Sequence, residues 1–280
     1  MSEQTIRTRR DGHVLFVELH RPDQLNAFDW AMRTELAQLW SAAAAEPDLR
    51  VVVITGAGRG FCAGADVADL AGSRRPFGDG VDAELAFLPG RQLDIPVITA
   101  VNGVCAGGGL HFVADADIAI ASQGATFTDP HVSVGQVSAL EPVSLALRVP
   151  VARLMRLALL GRGERLTAAD ALACGLVTEV VAPELLAARA AELAGLIAAN
   201  SPAAVAATRR VVRSLERQLL HGAMEEGWAE IQRHWAHPDA AEGPDAFAQR
   251  RQPAWRTIAA QAGPDRLPEV SSLRLGVEPV

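Results

Sequence analysis

Two histidines and a run of glycines are the residues of this chain whose types and spacing point to chemistry. His111 lies three residues beyond the middle glycine of the triplet GGG at 107–109. His131 lies in a later Asp-Pro loop, two residues after Asp129. Because an imidazole titrates close to working pH, it can accept or donate a proton. These positions therefore predict acid–base chemistry beside a glycine turn.

The glycine turns also expose backbone amides to a ligand. Glycine carries no side chain, so a ligand oxygen can approach the N–H groups directly, and a following helix adds partial positive charge. A second turn, GAGRGFCAGAD at 56–66, follows the apolar run Val51 to Thr55. Two turns at strand ends can each donate one N–H to the same oxygen. We therefore expect an oxyanion hole built from backbone.

Composition excludes several classes of protein. The 280 residues are 49% hydrophobic and carry a formal net charge of −7, whereas a nucleic-acid surface needs dense basic faces. No apolar run reaches the roughly 20 residues of a membrane span, and the N-terminal residues lack an apolar signal-peptide core. We expect a cytoplasmic protein with neither a nucleic acid nor a membrane as partner.

The cysteines and the missing residue types exclude further chemistries. Cys62, Cys105 and Cys174 are odd in number and lack metal-ligand spacing, so we expect no disulfide framework and no metal site. All 26 basic residues are arginines and tyrosine is absent, which excludes Schiff-base lysines and Walker-type phosphate loops. The run VVVITGAGRG resembles the dinucleotide turn of short-chain dehydrogenases, but the tyrosine and lysine that those enzymes use do not exist here.

Apolar periodicity predicts alternating strands and helices that position these turns. Predicted strands cover 13–19, 51–55, 97–101, 118–121 and 176–181. Predicted helices cover 27–45, 151–160, 167–174, 183–199 and 203–220. A short helix is predicted to carry His111, and another to begin at Glu141-Pro142. Residues 67–95 show little periodicity and are predicted to form a flap or pocket wall.

Several motifs in order resemble the crotonase, or enoyl-CoA hydratase/isomerase, superfamily. FCAGAD precedes PVITAVNGVCAGGG, and RPDQLNAF, LTAADALACGLVTEVV and AEGPDAFAQRRQPAW extend the resemblance over nearly the whole chain. The resemblance implies an α/β fold, a crotonase-like spiral of ββα units with a C-terminal helical section. It also implies an acyl-CoA substrate, with coenzyme A present as part of that substrate and no prosthetic group.

The resemblance further implies an assembly and a division of the chain. Proteins of this family are usually trimers, so a homotrimer or a dimer of trimers is expected. Residues 1–200 are expected to form the spiral core and 201–263 the helical section that mediates oligomerisation. Residues 264–280 contain three prolines and are expected to form a loosely ordered tail.

Carried over residue by residue, the resemblance assigns the two oxyanion amides to Ala65 and Gly108. Hydratases of the family place a glutamate three residues beyond the middle glycine and another after a proline in the following loop. This chain has His111 and His131 at those positions, and neither glutamate is present. Glu141 is a candidate for the missing carboxylate, although an acid at a helix start explains it equally well.

The two histidines are expected to differ in protonation. His111 lies in the first turn of its helix, where the dipole disfavours the imidazolium ion, so we expect a lowered pKa and a neutral base. His131 can be oriented by Asp129 and kept closer to the protonated form. The resemblance also assigns contacts with coenzyme A to Arg21, Ala27, Ala63, Asp66 and Arg250. For Asp66, bracing of the turn is an equal alternative.

Three activities remain open at this point. The chain is a hydratase or isomerase that uses histidines, a hydrolase of thioesters or of β-diketone carbon–carbon bonds, or a protein that binds acyl-CoA without turnover. Ser133 and Ser138 lie near His131 in the sequence, but no Gly-x-Ser-x-Gly elbow supports a serine hydrolase.

Overall fold

The structure is a computed structural model that describes residues 4–66 and 80–256. Within these residues, ten strands form two sheets. The strands are β1 (Ile6–Asp11), β2 (Val14–Leu19), β3 (Val51–Gly56), β4 (Gly60–Cys62), β5 (Val97–Val101), β6 (Val104–Ala106), β7 (Ile118–Ser122), β8 (Thr126–Thr128), β9 (Leu166–Thr167) and β10 (Glu179–Val181).

The larger sheet has the spatial order β1-β2-β3-β5-β7-β10 and is parallel except for the β1–β2 pair. The smaller sheet has the order β4-β6-β8-β9. Each of β3, β5 and β7 continues, after a short turn, into a strand of the smaller sheet. This repeat gives the mixed α/β spiral that the sequence predicted.

Strand pairing in the smaller sheet brings the two glycine turns together. β4 and β6 are parallel neighbours, with Cys62 opposite Cys105. Both strands end at the same edge of the sheet, so the chain after Cys62 and the chain after Ala106 emerge side by side. The side-by-side placement of the two turns is therefore a consequence of strand register.

Ten helices complete the described residues. They are α1 (Trp30–Ala43), α2 (Val81–Glu84), α3 (Pro89–Gln92), α4 (Leu110–Asp115), α5 (Leu140–Leu145), α6 (Val151–Leu160), α7 (Ala168–Ala173), α8 (Leu186–Ala198), α9 (Pro202–His234) and α10 (Asp239–Ala248). Short 3-10 turns lie at Gly107–Gly109 and His131–Val134. Helix α8 packs on β3, β5 and β7, so it covers one face of the larger sheet.

Most predicted elements are confirmed, with differences at their ends. Strand β5 and helix α6 have the predicted bounds. The prediction of a helix over 203–220 is too short, because α9 continues to His234. The predicted strand over 176–181 is formed only at Glu179–Val181. Of the predicted flap, residues 67–79 lie outside the described residues, as does the predicted tail.

Four phenylalanine side chains form the core beneath the glycine turns. Their rings pack at centroid separations between 5.0 and 6.5 Å, and the members are Phe28, Phe61, Phe87 and Phe112. The indole N–H of Trp40 donates to the carbonyl of Phe87 at 2.7 Å. Aromatic contacts of this kind make a rigid floor under the turns.

Two arginines attach the long helix α9 to the core. Nε of Arg209 lies 2.8 Å from Oδ2 of Asp117, and Nε of Arg213 lies 2.9 Å from Oδ1 of the same carboxylate. Asp117 follows α4 by two residues, so these contacts hold the C-terminal helical section against the helix that carries His111. The division into three sections stays a prediction.

Membrane-spanning helices were sought among the described residues. No single helix there has both the length and the apolar character to cross a bilayer. Helices 183–198 and 202–234 meet the criterion only when counted together, and they are bent by 105° relative to one another.

Candidate active site

The backbone N–H groups of Ala65 and Gly108 lie close together where the two glycine turns meet. A β-bridge pairs Phe28 with Ala65 through hydrogen bonds made by the neighbouring residues Gly64 and Asp66, at 2.9 and 3.0 Å. In a parallel bridge of this kind, the central residue keeps its own N–H on the opposite edge. The N–H of Ala65 therefore points away from the Phe28 segment.

Gly108 contributes its amide from the first turn of a 3-10 helix. N–H groups at such a start have no partner within the helix. A methyl group placed on Gly108 would lie 3.7 Å from the nitrogen of Ala65, and one placed on Gly64 would lie 3.1 Å from the nitrogen of Gly108. These separations put the two amides within reach of one ligand oxygen.

The close approach explains two of the glycines. A methyl group on Gly108 would stand 2.6 Å from Cζ of Phe28, which is closer than real carbon contacts permit. Gly64 has φ of +95°, a backbone conformation that side chains disfavour, and a methyl group there would stand 2.9 Å from the carbonyl oxygen of Ala106.

His111, His131 and Glu141 form a cluster of titratable side chains, of which His111 and Glu141 are buried and His131 is half-buried. Nε2 of His111 on α4 lies 3.0 Å from Oε1 of Glu141 on α5, and Nε2 of His131 lies 3.5 Å from the same oxygen. His111 is 6% exposed and Glu141 is 4% exposed. The carboxylate thus lies between the two imidazoles. From the sequence, Glu141 was either a candidate for the missing carboxylate or an acid at a helix start.

Asp129 holds His131 from the other side, as expected. Oδ1 of Asp129 lies 2.6 Å from Nδ1 of His131. The hydroxyl of Ser138 donates to Oδ2 of the same carboxylate at 2.5 Å. His131 is therefore bracketed by two carboxylates, one on each ring nitrogen.

The charges in the cluster follow from this arrangement. Burial by itself lowers the pKa of His131, but the neighbouring carboxylates of Glu141 and Asp129 raise that pKa to about 9. Burial raises the pKa of Glu141, whereas the adjacent imidazoles of His131 and His111 lower it well below its usual range. At neutral pH, His131 is an imidazolium ion and Glu141 is ionised.

The cluster lies directly beside the glycine turn. A methyl group placed on Gly107 would lie 3.4 Å from Cε1 of His131 and 3.8 Å from its Nε2. His111 follows Gly108 by three residues on the adjoining helix. The two imidazoles therefore lie on either side of the Gly107–Gly109 turn.

A cavity of about 640 Å³ opens onto His111. It lies between α2, α3, α4 and α9, and its apolar lining includes Leu85, Leu88, Leu220 and Met224. Binding sites for small molecules usually have volumes of about 300–1,000 Å³ and a mostly apolar lining. Nδ1 of His111 is buried and has no hydrogen-bond partner in the part of the chain that the structure describes.

Four of the five residues expected to contact coenzyme A lie around the first glycine turn. Nη2 of Arg21 lies 2.9 Å from Oδ2 of Asp66, and Nη1 donates to the carbonyl of Ala27. Ala63 donates its N–H to the carbonyl of Leu25 at 3.0 Å. Asp66 thus braces the turn through Arg21, which was one of its two expected roles.

Arg250 lies elsewhere in the fold. It follows the end of α10, is exposed and has φ of +53°. No hydrogen bond or ion pair of its side chain to another described residue connects it to the cluster or to Arg21.

The structure also tests the residues that the sequence raised for other chemistries. Ser138 donates to Asp129 rather than to an imidazole, and the hydroxyl of Ser133 accepts the backbone N–H of Arg162 at 2.9 Å. Neither serine is thus placed as a nucleophile against His131. Within the described residues, no group of three His, Cys, Asp or Glu side chains has the arrangement of a metal site.

Comparison with known proteins identifies the family of this chain. The enoyl-CoA hydratase/isomerase family matches residues 9–258. A mevalonyl-coenzyme A hydratase of Aspergillus fumigatus is 34% identical over 87% of this chain and 92% of its own length. A carnitinyl-CoA dehydratase of Proteus mirabilis is 36% identical over 90% of this chain and 98% of its own length.

Solved structures give the same result. An enoyl-CoA hydratase/isomerase from Pseudoalteromonas atlantica superposes with a TM-score of 0.80 at 27% identity, covering 90% of this chain and 100% of that one. A carnitinyl-CoA dehydratase from Mycobacterium avium superposes with a TM-score of 0.80 at 31% identity, covering 91% and 99%. The class is that of enzymes acting on acyl-CoA thioesters. This chain belongs to the enoyl-CoA hydratase/isomerase family, the crotonase superfamily.

Proposed function

We propose that the protein catalyses reversible addition of water to a 2-enoyl-CoA thioester, with histidines in place of the usual glutamates. The observation that supports this most directly is Glu141, which lies within 3.5 Å of Nε2 in both His111 and His131. The adjacent amides of Ala65 and Gly108 supply the complementary site for a carbonyl oxygen. Relatives named as hydratases and dehydratases support a reaction that adds or removes water.

In the proposed reaction, the thioester carbonyl accepts hydrogen bonds from the amides of Ala65 and Gly108. His111 removes a proton from water while the water oxygen bonds to the β-carbon. The electrons of the double bond move to the carbonyl oxygen, which becomes an enolate oxygen. Donors aimed at such a developing charge contribute about 3–4 kcal/mol each to transition-state stabilisation.

Proton return completes the reaction. His131 donates its Nε2 proton to the α-carbon, the enolate electrons form the new C–H bond, and the thioester carbonyl is restored. Glu141 accepts the Nε2–H of His111, orients that ring with Nδ1 free of protein contacts, and stabilises the imidazolium that forms. His111 is thus the base and His131 the acid in the direction of hydration.

Coenzyme A is proposed to bind as part of the substrate. Ala27, Ala63 and Asp66 adjoin the first glycine turn, where the resemblance implies that the adenine of coenzyme A binds. Arg21 contributes through the brace it forms with Asp66. Arg250 lies apart from this chain's own site, so we assign it to the phosphates of coenzyme A bound to a neighbouring subunit, as the resemblance implies, because an arginine fork suits a phosphate. The cytoplasmic location stays a prediction.

The test is hydration of a 2-enoyl-CoA by the purified protein, followed as loss of the conjugated thioester absorbance. His111→Ala and His131→Ala are each expected to lower kcat by about a hundredfold or more, because a positioned acid or base contributes that much. His13→Ala is the control, since the His13 ring lies at the surface with Nδ1 2.8 Å from the carbonyl oxygen of Asp48. If wild type binds the thioester but neither it nor the variants turn it over, the protein is a binding protein and the proposal fails.

We propose further that the protein is a homotrimer or a dimer of trimers. The outer face of α6 exposes Val151, Met155 and Leu159 at successive turns, with 62%, 50% and 64% of each residue accessible. A second stripe on α9 consists of Val211, Leu215 and Leu219. Contiguous apolar stripes of this kind favour burial against another chain.

Sedimentation equilibrium is therefore expected to give a mass three or six times 29.6 kDa. Leu159→Glu should lower that mass because it places a charge within the stripe on α6. Leu185→Glu, at an exposed leucine outside both stripes, is the control. A wild-type mass of 29.6 kDa at micromolar concentration would contradict the proposal.

A further inference from the structure

Asp129 is a buried carboxylate to which the proposed reaction gives no step. It is 1% exposed, and it is surrounded by donors. Oδ1 accepts from Nδ1 of His131 at 2.6 Å and from the backbone N–H of the same residue at 3.3 Å. Oδ2 accepts from the hydroxyl of Ser138 at 2.5 Å. A buried carboxylate with both oxygens bonded is fixed in orientation as well as in charge.

We infer that Asp129 and Ser138 are positioning residues that hold His131 with Nδ1–H on the carboxylate and so present its Nε2 proton to the substrate. The inference rests on the proposed function, because it assigns how the acid of that reaction is prepared. Neither residue touches the reacting atoms. Each acts through the imidazole of His131.

The geometry supports this in two steps. Asp129 accepts the Nδ1–H of His131, so when the ring is an imidazolium ion its second proton is on Nε2. Nε2 is then the donor, and it lies on the side of the ring that faces Gly107 and Oε1 of Glu141. Rotation of the ring by a half turn would put Cδ2 where Nδ1 lies and so break the 2.6 Å contact with Asp129.

Ser138 acts on the carboxylate rather than on the ring. Its hydroxyl occupies Oδ2, so Asp129 cannot rotate without leaving a buried oxygen unsatisfied. The serine lies nine residues after Asp129 in a segment without regular secondary structure, and its hydroxyl ties that segment to the carboxylate. The pair therefore couples the conformation of the 129–138 loop to the protonation of His131.

Five of the six charged residues on the elements packed against the His131 turn have partners other than His131. The elements packed against 131–134 are α6, α10 and the 3-10 turn 161–163. Their charged residues are Arg153, Arg156, Arg162, Asp239, Glu242 and Asp245. Arg156 pairs with Glu164, Glu242 pairs with Arg251, and the guanidinium of Arg162 lies over the ring of Phe247. Among the described residues, the carboxylates within 4 Å of the His131 ring nitrogens are Asp129 and Glu141.

The experiment compares kcat against pH for wild type, Asp129→Asn and Ser138→Ala on a 2-enoyl-CoA. Wild-type kcat is expected to fall above about pH 9, where His131 loses its proton. Asp129→Asn should lower kcat at least about tenfold with little change in KM, and should move the alkaline limb down by about one pH unit or more. Ser138→Ala should shift the limb in the same direction by less. Asp94→Asn, at an exposed ion pair with Arg210, is the matched control.

A second measurement keeps this inference separable from the proposed function. The pKa of the His131 imidazole is followed by NMR titration in each protein without substrate. It is expected to fall in Asp129→Asn and, by less, in Ser138→Ala. Should wild type hydrate no enoyl thioester, the proposed function fails while this titration still decides the role of Asp129. An unchanged His131 pKa and an unchanged alkaline limb in both variants would overturn the inference, and Ser138→Ala alone decides it if Asp129→Asn does not fold.

Discussion

Replacing Glu141 by glutamine is expected to lower kcat for enoyl-CoA hydration by about a thousandfold, the middle of the range for a positioned proton-transfer group. The amide removes the negative charge that stabilises both imidazolium ions, and its NH2 group cannot accept the Nε2–H of His111. The same substitution should lower the pKa of His131, because the Glu141 charge helps to raise it. Steady-state kinetics across pH 6 to 10 would measure both effects.

Glu46→Gln supplies the control for this substitution, since Glu46 forms a surface ion pair with Arg10. The variant is expected to fold, because the amide has the same shape as the buried carboxylate that it replaces. Circular dichroism and thermal unfolding would check this. A folded Glu141→Gln protein with kcat within about threefold of wild type would contradict a role for this carboxylate in proton transfer.

Gly108→Ala is expected to lower kcat/KM by about 100- to 1,000-fold, as for loss of one oxyanion donor. The added methyl group would stand 2.6 Å from the ring of Phe28, so the buried ring or the turn must shift, and a shift of the turn displaces this N–H from its position next to Ala65. Gly195→Ala is the matched control, because Gly195 lies on α8 with no atom within 4 Å of the added methyl group.

The control substitution should leave kcat/KM unchanged and stabilise the helix by about 0.5–1 kcal/mol. Binding of the thioester to Gly108→Ala would be followed separately by calorimetry. The oxyanion assignment predicts that turnover falls far more than binding, since the amide contacts are strongest with the enolate. Equal turnover by Gly108→Ala and wild type would show that the carbonyl binds elsewhere.

The two glycine turns could be predicted from the sequence because each is formed by residues that are close together along the chain. The strand Val97–Val101 and the triplet at 107–109 are close in the sequence. The turn and the helix carrying His111 could therefore be placed without tertiary information. Motifs of the same kind located Ala65 in the first turn. The pairing of the turns through β4 and β6 was harder, because three-residue strands are too short to show a periodicity.

The carboxylates of the site show where sequence reasoning ended. Glu141 lies thirty residues after His111, and only the packing of α5 on α4 brings them to 3.0 Å. A helix-start position explained the acid equally well from sequence alone. Asp129 was predictable because it precedes His131 by two residues in the same loop. Ser138 carried no signal, since its hydroxyl reaches Asp129 across an irregular segment.

The register of β4 against β6 has a consequence for how this fold can vary. The oxygen site that we propose consists of main-chain N–H groups that the sheet holds in place, so exchange of the surrounding side chains leaves its two donors in position. The side chains that donate and accept protons at the neighbouring positions can then be exchanged for other residue types while the two main-chain N–H groups stay in place. Our assignment of His111 and His131 to the positions of the usual glutamates is an example of such a change of side chain beside unchanged main-chain donors.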